Sequence, residues 1–525
     1  MDEVSRRGFI GAATLAPLAL AQRGTAQQSA VPERFDFVVA GAGHNSLICS
    51  AYLAKAGYKV LVLEGRPTIG GGCKTAEVCL PGFKEDLCSS VHGGIQNNPL
   101  LRNNELNLGD YGLEYIDPEL VMHIPFLDGT SLSIWRDLDR TCESIAKISK
   151  KDAATFRRLL PDFRNSESAR APFWQRLNTM SGYDAVCVLF ESRQMRAASL
   201  GCGHFGGVPG GDFGTGGQAF SLMTQVLNGR PIAKGGSGML SVALGRFLEA
   251  HDGVIMTNKP VIRLIVENGK CLGVECADGS QYRAEKAVIS TIHLKHIVNM
   301  APRELWGEEF HRNLEIFQAE HAMFSFHYAT SEAPKYPLAG GGTISSTEAS
   351  LMEHPESILL LNSYNARGEV WTDDIPLQIV SPSVSDPTRA PVGHHTVKIE
   401  GTLPYGLKEG PRHWDNIKDQ VAEKVFGRLR RAAPNLTPDK VLAKFLESPL
   451  DIERMNPAMW RGSAHHGDRR VPQFASYKMP IPGLYQTGAC TAPGGSITGM
   501  PGRNAASALL KDLGTTIEAV VRKKS

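Results

Sequence analysis

FDFVVAGAGHNSLICSAYLAKAGYKVLVLEGRPTIGGGCKT, residues Phe35 to Thr75, decides how this chain is read. The apolar run Phe37-Val38-Val39-Ala40 predicts a buried strand, the turn Gly41-Ala42-Gly43-His44-Asn45-Ser46 follows, and a helical pattern continues through Ala56. A second apolar strand, Val60 to Leu63, ends on Glu64. Together these make the βαβ unit of a dinucleotide site. Gly41 permits the tight turn and Gly43 lets backbone approach a pyrophosphate. The helix opening at His44, Asn45 and Ser46 aims free N–H groups and its positive dipole end at phosphate. Glu64, 21 residues after Gly43, is placed to accept hydrogen bonds from a ribose diol. Ser46 stands where the third glycine of GxGxxG usually falls, and it is small enough for close helix–strand packing.

After Glu64 come Gly65, Arg66 and a second glycine run, Gly70-Gly71-Gly72, before Cys73. A nicotinamide enzyme would usually continue straight into its next helix. A second glycine cluster indicates backbone packed against a longer, bent cofactor. The arrangement resembles the FAD-binding N-terminus of the glutathione-reductase-like flavoproteins. That resemblance implies FAD as cofactor, with Gly65, Arg66, Gly71, Gly72 and Cys73 joining Gly41, Gly43, His44, Asn45, Ser46 and Glu64 in its binding set.

At 525 residues the chain is long for one core and predicts two domains. Its 56 Lys and Arg against 54 Asp and Glu leave a formal charge of +2, which argues against a nucleic-acid surface. Ser5-Arg6-Arg7-Gly8-Phe9-Ile10, the short apolar segment to Leu20 and the small-residue end before Gln22 resemble a twin-arginine export signal. Residues 1–30 are therefore expected to be an export signal and linker, and the destination periplasmic or extracellular. The ten cysteines include no CxxC and no metal-ligand spacing. A disulfide among Cys73, Cys79 and Cys88 is conceivable in an exported protein, while most of the thiols read as small buried apolar groups.

Helical spacing covers Ser149 to Leu160 and Tyr183 to Ala198. The glycine-rich run Gly201 to Gly217 lacks a preceding buried strand and a following ribose acid, so it reads as a loop crowding a ligand or helix, and no NAD(P) site is resolved. Gly235-Gly236-Ser237-Gly238-Met239 precedes a helix from Leu240 to Ala250. Strands are then expected at Val254–Met256, Val261–Glu267, Leu272–Cys276, Ser280–Ala284 and Ala287–Ser290, with turns at Asn268-Gly269 and Asp278-Gly279. This meander returns the chain to the nucleotide domain and leaves Val261 to hold the adenine edge. Strands at Met323–Tyr328, Ile358–Asn362, Leu377–Ser381 and His395–Gly401 predict an antiparallel sheet with one face over a cavity. His394-His395 reads as the in-and-out alternation of a strand and not as a metal pair.

The C-terminal stretch GLYQTGACTAPGGSITGMPGRNAASALL, Gly483 to Leu510, runs from a strand into Gly488-Ala489-Cys490. It then passes a glycine and proline loop, and Thr498-Gly499-Met500 opens a helix. Gly488 and Ala489 read as a second approach of backbone to the cofactor. The helix start is expected to face the flavin N1–C2=O edge, where negative charge grows on reduction.

With the N-terminal unit, the GGSGM block and Ser381-Pro382-Ser383-Val384-Ser385-Asp386-Pro387, this end resembles the phytoene-desaturase-like FAD-dependent oxidoreductases over nearly the whole chain after the signal. Many relatives carry Asp or a second glycine where Ala489-Cys490 stands. The resemblance implies an α/β fold: a Rossmann-like FAD domain of residues 31–100, 231–295 and 465–525, with an inserted α+β substrate domain of residues 101–230 and 296–464. It further implies hydride removal from a lipophilic, isoprenoid-like substrate to FAD. Quinone, oxygen or a protein is the expected electron acceptor, and peripheral membrane contact is a further expectation. Candidate bases are His92, His465 and His466. A flavin amine oxidase and a redox-silent flavoprotein acting in isomerisation or binding stay open as alternatives, and an aromatic cage facing the flavin would favour the amine oxidase.

Overall fold

The computed structural model describes residues 34–164, 171–204, 209–319, 322–465 and 476–522. The signal-like N-terminus and His466 lie outside them. Two seven-stranded sheets organise the chain.

Phe35–Ala40 is the central strand of the first sheet, and Phe37 to Ala40 are fully buried, as a parallel strand covered on both faces requires. It pairs in parallel with Val60–Leu63 on one side and with Gln281–Ser290 on the other. Val254–Met256 and Leu484–Gln486 extend the two sides, also in parallel. The expected strands at 280–284 and 287–290 are one ten-residue strand, Gln281–Ser290. Its first half pairs antiparallel with Lys270–Cys276 and its second half parallel with Phe35–Ala40, so a change of partner, not a turn, produces the break in its burial pattern.

The helix His44–Lys55 lies on this sheet and is buried along most of its length. Leu47, Ile48, Ala51 and Tyr52 share a core with Val39, Val62, Leu244 and, from the helix Met500–Asp512, Ala505, Ala506 and Leu509. A Cβ on Gly502 would sit 2.3 Å from Asn45 O and 2.9 Å from Ile48 Cβ, so the two helices touch backbone to backbone. Buried polar groups fix the same junction. Arg503 grips the Glu105 carboxylate through Nε at 2.9 Å and Nη2 at 2.8 Å, and the Tyr52 hydroxyl donates to that carboxylate.

The second sheet runs in the order Val441–Glu447, Met323–Thr330, His395–Thr402, Leu377–Val380, Glu348–Leu351, Leu120–Pro125, Ser131–Trp135. Strict alternation gives it two unlike faces. Phe324, Phe326, Leu377, Ile379, Val397 and Ile399 pack with Trp414, Val421, Val425, Phe426 and Leu429 of the helix Trp414–Ala432. The opposite face carries a register row of polar residues, Ser350, Gln378, Glu400, Ser325 and Glu447, one from each of five adjacent strands. Ile358–Asn362, expected as strand, lies in the helix Ser357–Ala366. Ile358 and Leu361 are buried, whereas Leu359 and Leu360 are exposed, a spacing of three that a strand cannot produce. The pattern at 183–198 divides into two helices, Gly182–Leu189 and Arg193–His204. Among the described residues no helix is long and apolar enough to cross a membrane.

The helix contact at Gly502 yields a first prediction. Gly502→Ala forces Met500–Asp512 away from His44–Lys55 and should cost about 1–3 kcal/mol. Thermal unfolding measures it, and an unchanged Tm would show that the junction has room to spare.

Candidate functional site

The turn between Phe35–Ala40 and the following helix is built as the glycine spacing requires. Gly41 has φ +100°, and a Cβ there would lie 2.2 Å from Thr291 Oγ1. A Cβ on Gly43 would meet nothing within 4 Å, because this face of the turn opens on a cavity. The first hydrogen bond of the helix runs from Leu47 N–H to Gly43 O at 3.0 Å. The N–H groups of His44, Asn45 and Ser46 thus have no partner within the helix and form its anion-attracting end. Ser46 does more than replace a glycine: its hydroxyl reaches Gly41 O at 2.6 Å and Gly43 O at 2.9 Å, pinning both turn carbonyls.

The second glycine run presses on the first turn. Gly70 N–H donates to Ala42 O at 2.8 Å, and a Cβ on Gly71 would lie 3.2 Å from Gly43 Cα. Glu64 closes the unit, its carboxylate accepting from Ala42 N–H and Arg66 N–H, each at 2.9 Å. A carboxylate held by two donors retains acceptor capacity for a diol.

A cavity of about 860 Å³ opens from this turn. Of the residues expected to bind the cofactor, Gly41, Gly43, His44, Asn45, Glu64, Gly65, Arg66, Gly71, Gly72, Val261, Gly488 and Ala489 line it. Gly43 and Gly488, from opposite ends of the sequence, therefore share one cavity. Burial lowers the His44 imidazole to about 4, so it is neutral at physiological pH. Ser46 is buried behind the turn, and Cys73 is buried with its thiol donating to Ser237 O at 3.1 Å. Thr498, Gly499 and Met500 are not on the cavity wall. A Cβ on Gly499 would run into Ile48, Asn98 and Ile95, and the helix donors behind it are engaged, Met500 N–H with Thr498 Oγ1 and Gly502 N–H with Asn45 Oδ1, both at 3.3 Å.

The candidate bases separate. His465 lines the cavity. His92 does not: it is fully buried, with Nδ1 2.9 Å from the Tyr115 hydroxyl and Nε2 2.8 Å from Ser237 Oγ. Burial lowers its imidazole to about 3, and both ring nitrogens are engaged in joining its loop to Ser237, so it does not meet the reach that a substrate base needs.

Two parts of the wall lie outside the residues named from the sequence. The segment Met455-Asn456-Pro457-Ala458-Met459 straps across the glycine turns, tied down where Arg66 Nη2 donates to Arg454 O at 2.8 Å. Beyond it, Cys88, Ser89, Ser90 and Met323 lead from Gly72 to Gln378, Glu400 and Thr402 on the polar face of the second sheet. A sheet face over a cavity was expected from these strands, and the alternation of Thr396, Lys398, Glu400 and Thr402 with apolar neighbours supplies it; which of the polar residues reach the cavity is set by distant chain.

The residues fit an FAD: glycine backbone where a side chain would block, helix donors for a pyrophosphate, an acid for the ribose and a second glycine arm at Gly488. The family described as flavin containing amine oxidoreductase matches residues 47–510. The chain belongs to that family. This flavin-containing oxidoreductase is 27% identical to one of the subunits of the limonene dehydrogenase of Castellaniella defragrans, over 92% of this chain and 95% of that protein. It is 22% identical to a neurosporene-forming phytoene desaturase of Cereibacter sphaeroides, over 89% and 92%. Its fold is similar to that of an oxidoreductase from Methanosarcina mazei, at TM-score 0.62 and 19% identity, covering 91% of this chain and all of that one.

Behind the cavity the polar face continues into a buried cluster. His327 Nε2 lies 3.3 Å from Glu447 Oε2 and its Nδ1 3.6 Å from Glu85 Oε2. Burial holds His327 well below its usual value and raises Glu85 and Glu447 to about 8, so all three are neutral near pH 7.

Two predictions follow from this geometry. Gly41→Ala should fold but purify with most of its flavin lost, read from the visible absorbance, because the added methyl must displace Thr291 and the turn cannot keep its positive φ. Glu447 has a folded value raised above its ordinary 4.5, so its stabilising contribution is fully present below that value and is lost as pH rises through about 8. Glu447→Gln should therefore gain in Tm relative to wild type between pH 5 and pH 9. A constant difference would mean that the carboxyl is ionised throughout.

Proposed function

We propose that this flavin-containing oxidoreductase is a dehydrogenase or desaturase of an uncharged lipophilic substrate. The observation that carries the reading is the make-up of the cavity wall. Met300, Met323, Met455 and Met459, with Val91 and Ile497, give it a soft apolar surface, and among the described lining residues there is no Phe, Tyr or Trp. Methionines adapt to irregular hydrocarbon. A cationic amine gains most from an aromatic face, and this wall offers none. Relatives named for limonene and phytoene support the same choice.

When bound, FAD supplies the two-electron acceptor. The glycine turns and the strap, with its Met455 and Met459, hold that cofactor, and Met323 with the polar face of the second sheet orients the substrate. His465 is the base of this proposal, accepting the proton left on the carbon next to the one that gives up hydride. The paired arginines Arg6-Arg7 support export of the folded protein, and outside the cytoplasm a quinone, oxygen or a protein is the fitting electron acceptor.

Anaerobic titration of the purified holoenzyme with panels of polyenes, alcohols and amines tests this reading. Lipophiles should bleach the flavin. Bleaching by amines alone overturns it, and no bleaching by any panel points to a redox-silent flavoprotein. His465→Ala should keep its flavin while losing about 10²–10⁴-fold in kcat.

A further inference from the structure

The methionine wall ends on a surface no hydrocarbon would call for. Arg230, Gln378, Glu400 and Thr402 line the same cavity as Gly72 and Met323. Gln378 and Glu400 belong to the polar row of the second sheet, where they are direct partners on neighbouring strands; Thr402 ends the strand of Glu400, and Arg230 follows the helix Ser221–Asn228. Arg230 forms a two-pronged ion pair with the buried Glu348, and its Nη1 donates to Gln225 Oε1 at 3.1 Å. The Gln378 amide nitrogen donates to the same Glu348 carboxylate, which fixes the amide direction and leaves its carbonyl for a ligand. Lys398 Nζ pairs with Glu400 at 2.6 Å and also reaches Cys88 O at 2.6 Å.

Charge cancels within each pair, so the wall is neutral while offering both donors and acceptors. A charged ligand would find no net countercharge here. A pure hydrocarbon would strip water from the Gln378 carbonyl and the Glu400 carboxylate and return nothing. A carbonyl group could only accept. A hydroxyl both donates and accepts, and so matches Arg230 together with Gln378 and Glu400.

Building on the dehydrogenase reading above, we propose that the substrate is a lipophilic alcohol. Its hydroxyl docks on Arg230, Gln378 and Glu400 while its hydrocarbon lies along Met323 toward Gly72. The wall then sets specificity by hydrogen bonding, a stronger filter than hydrocarbon fit because the mismatched ligand leaves buried polar groups unpaired.

The probes are farnesol and farnesene, titrated into the oxidised holoenzyme while flavin absorbance is followed. Farnesol should bind at least about tenfold more tightly. In Gln378→Leu, which keeps the volume and leaves the Arg230–Glu348 pair intact, the preference should collapse through weaker farnesol binding, with farnesene unchanged. Equal affinities in the wild type, no binding of either probe, or equal weakening of both by the substitution would overturn the proposal. The wild-type comparison stands without the variant. If the two bind equally while hydrocarbons still bleach the flavin, the hydroxyl site falls and the dehydrogenase reading survives. If amines alone bleach it, both fall.

Discussion

Backbone pressed on backbone at Gly43, Gly70 and Gly71 is the contact from which the rest of the molecule is laid out. The second run presses this closely because Gly71 carries no side chain, a Cβ there standing 3.2 Å from Gly43 Cα, while the open side of Gly43 is left to the cavity. The approach places the start of the helix His44–Lys55, the Glu64 carboxylate and the second glycine run around one opening. The C-terminal helix then locks the arrangement from behind, through Gly502 against Asn45 and through the buried Arg503–Glu105–Tyr52 group. Polar groups serve here as position markers: each is satisfied in one geometry and stranded in any other.

The two sheets use burial differently. The first hides its central strands on both faces, which is why they read as unbroken apolar runs. The second gives one face to an apolar core and the other to a cavity, so its polar residues are buried from bulk water yet open to a ligand. Gln378 and Glu400 stand in the cavity wall, while Glu447 and His327 sit behind it as neutral groups. The sheet is antiparallel except where Glu348–Leu351 pairs in parallel with Leu120–Pro125, and it serves as scaffold on one face and cavity wall on the other.

The nucleotide-binding unit was legible because its signals are local: strand, glycine turn, helix and acid follow one another within Phe35 to Glu64. What sequence could not supply was anything set by distant chain. Gln281–Ser290 looked interrupted because its partner changes midway, and pairing is not written in the strand itself. Ile358–Asn362 looked like a strand because a short apolar run fits either period until it is known which leucines face outward. At the site, His465 and His92 were indistinguishable as histidines near glycines, yet one is on the cavity wall and the other is enclosed by Tyr115 and Ser237. Thr498 to Met500 carry the pattern of a helix start, but its donors are taken up at home, Met500 N–H by Thr498 Oγ1 and Gly502 N–H by Asn45 Oδ1 of the neighbouring helix.

The strap at residues 455–459 has a consequence for assembly. It comes from late in the chain, yet it lies against the glycine turns near the start of the chain and is fastened there by Arg66. A dinucleotide seated on the glycine turns would be touched by chain from both halves of the sequence. The seat is complete only where segments 388 residues apart have come together, so a change that loosens the fit of residues 455–459 would weaken cofactor binding without altering a glycine turn.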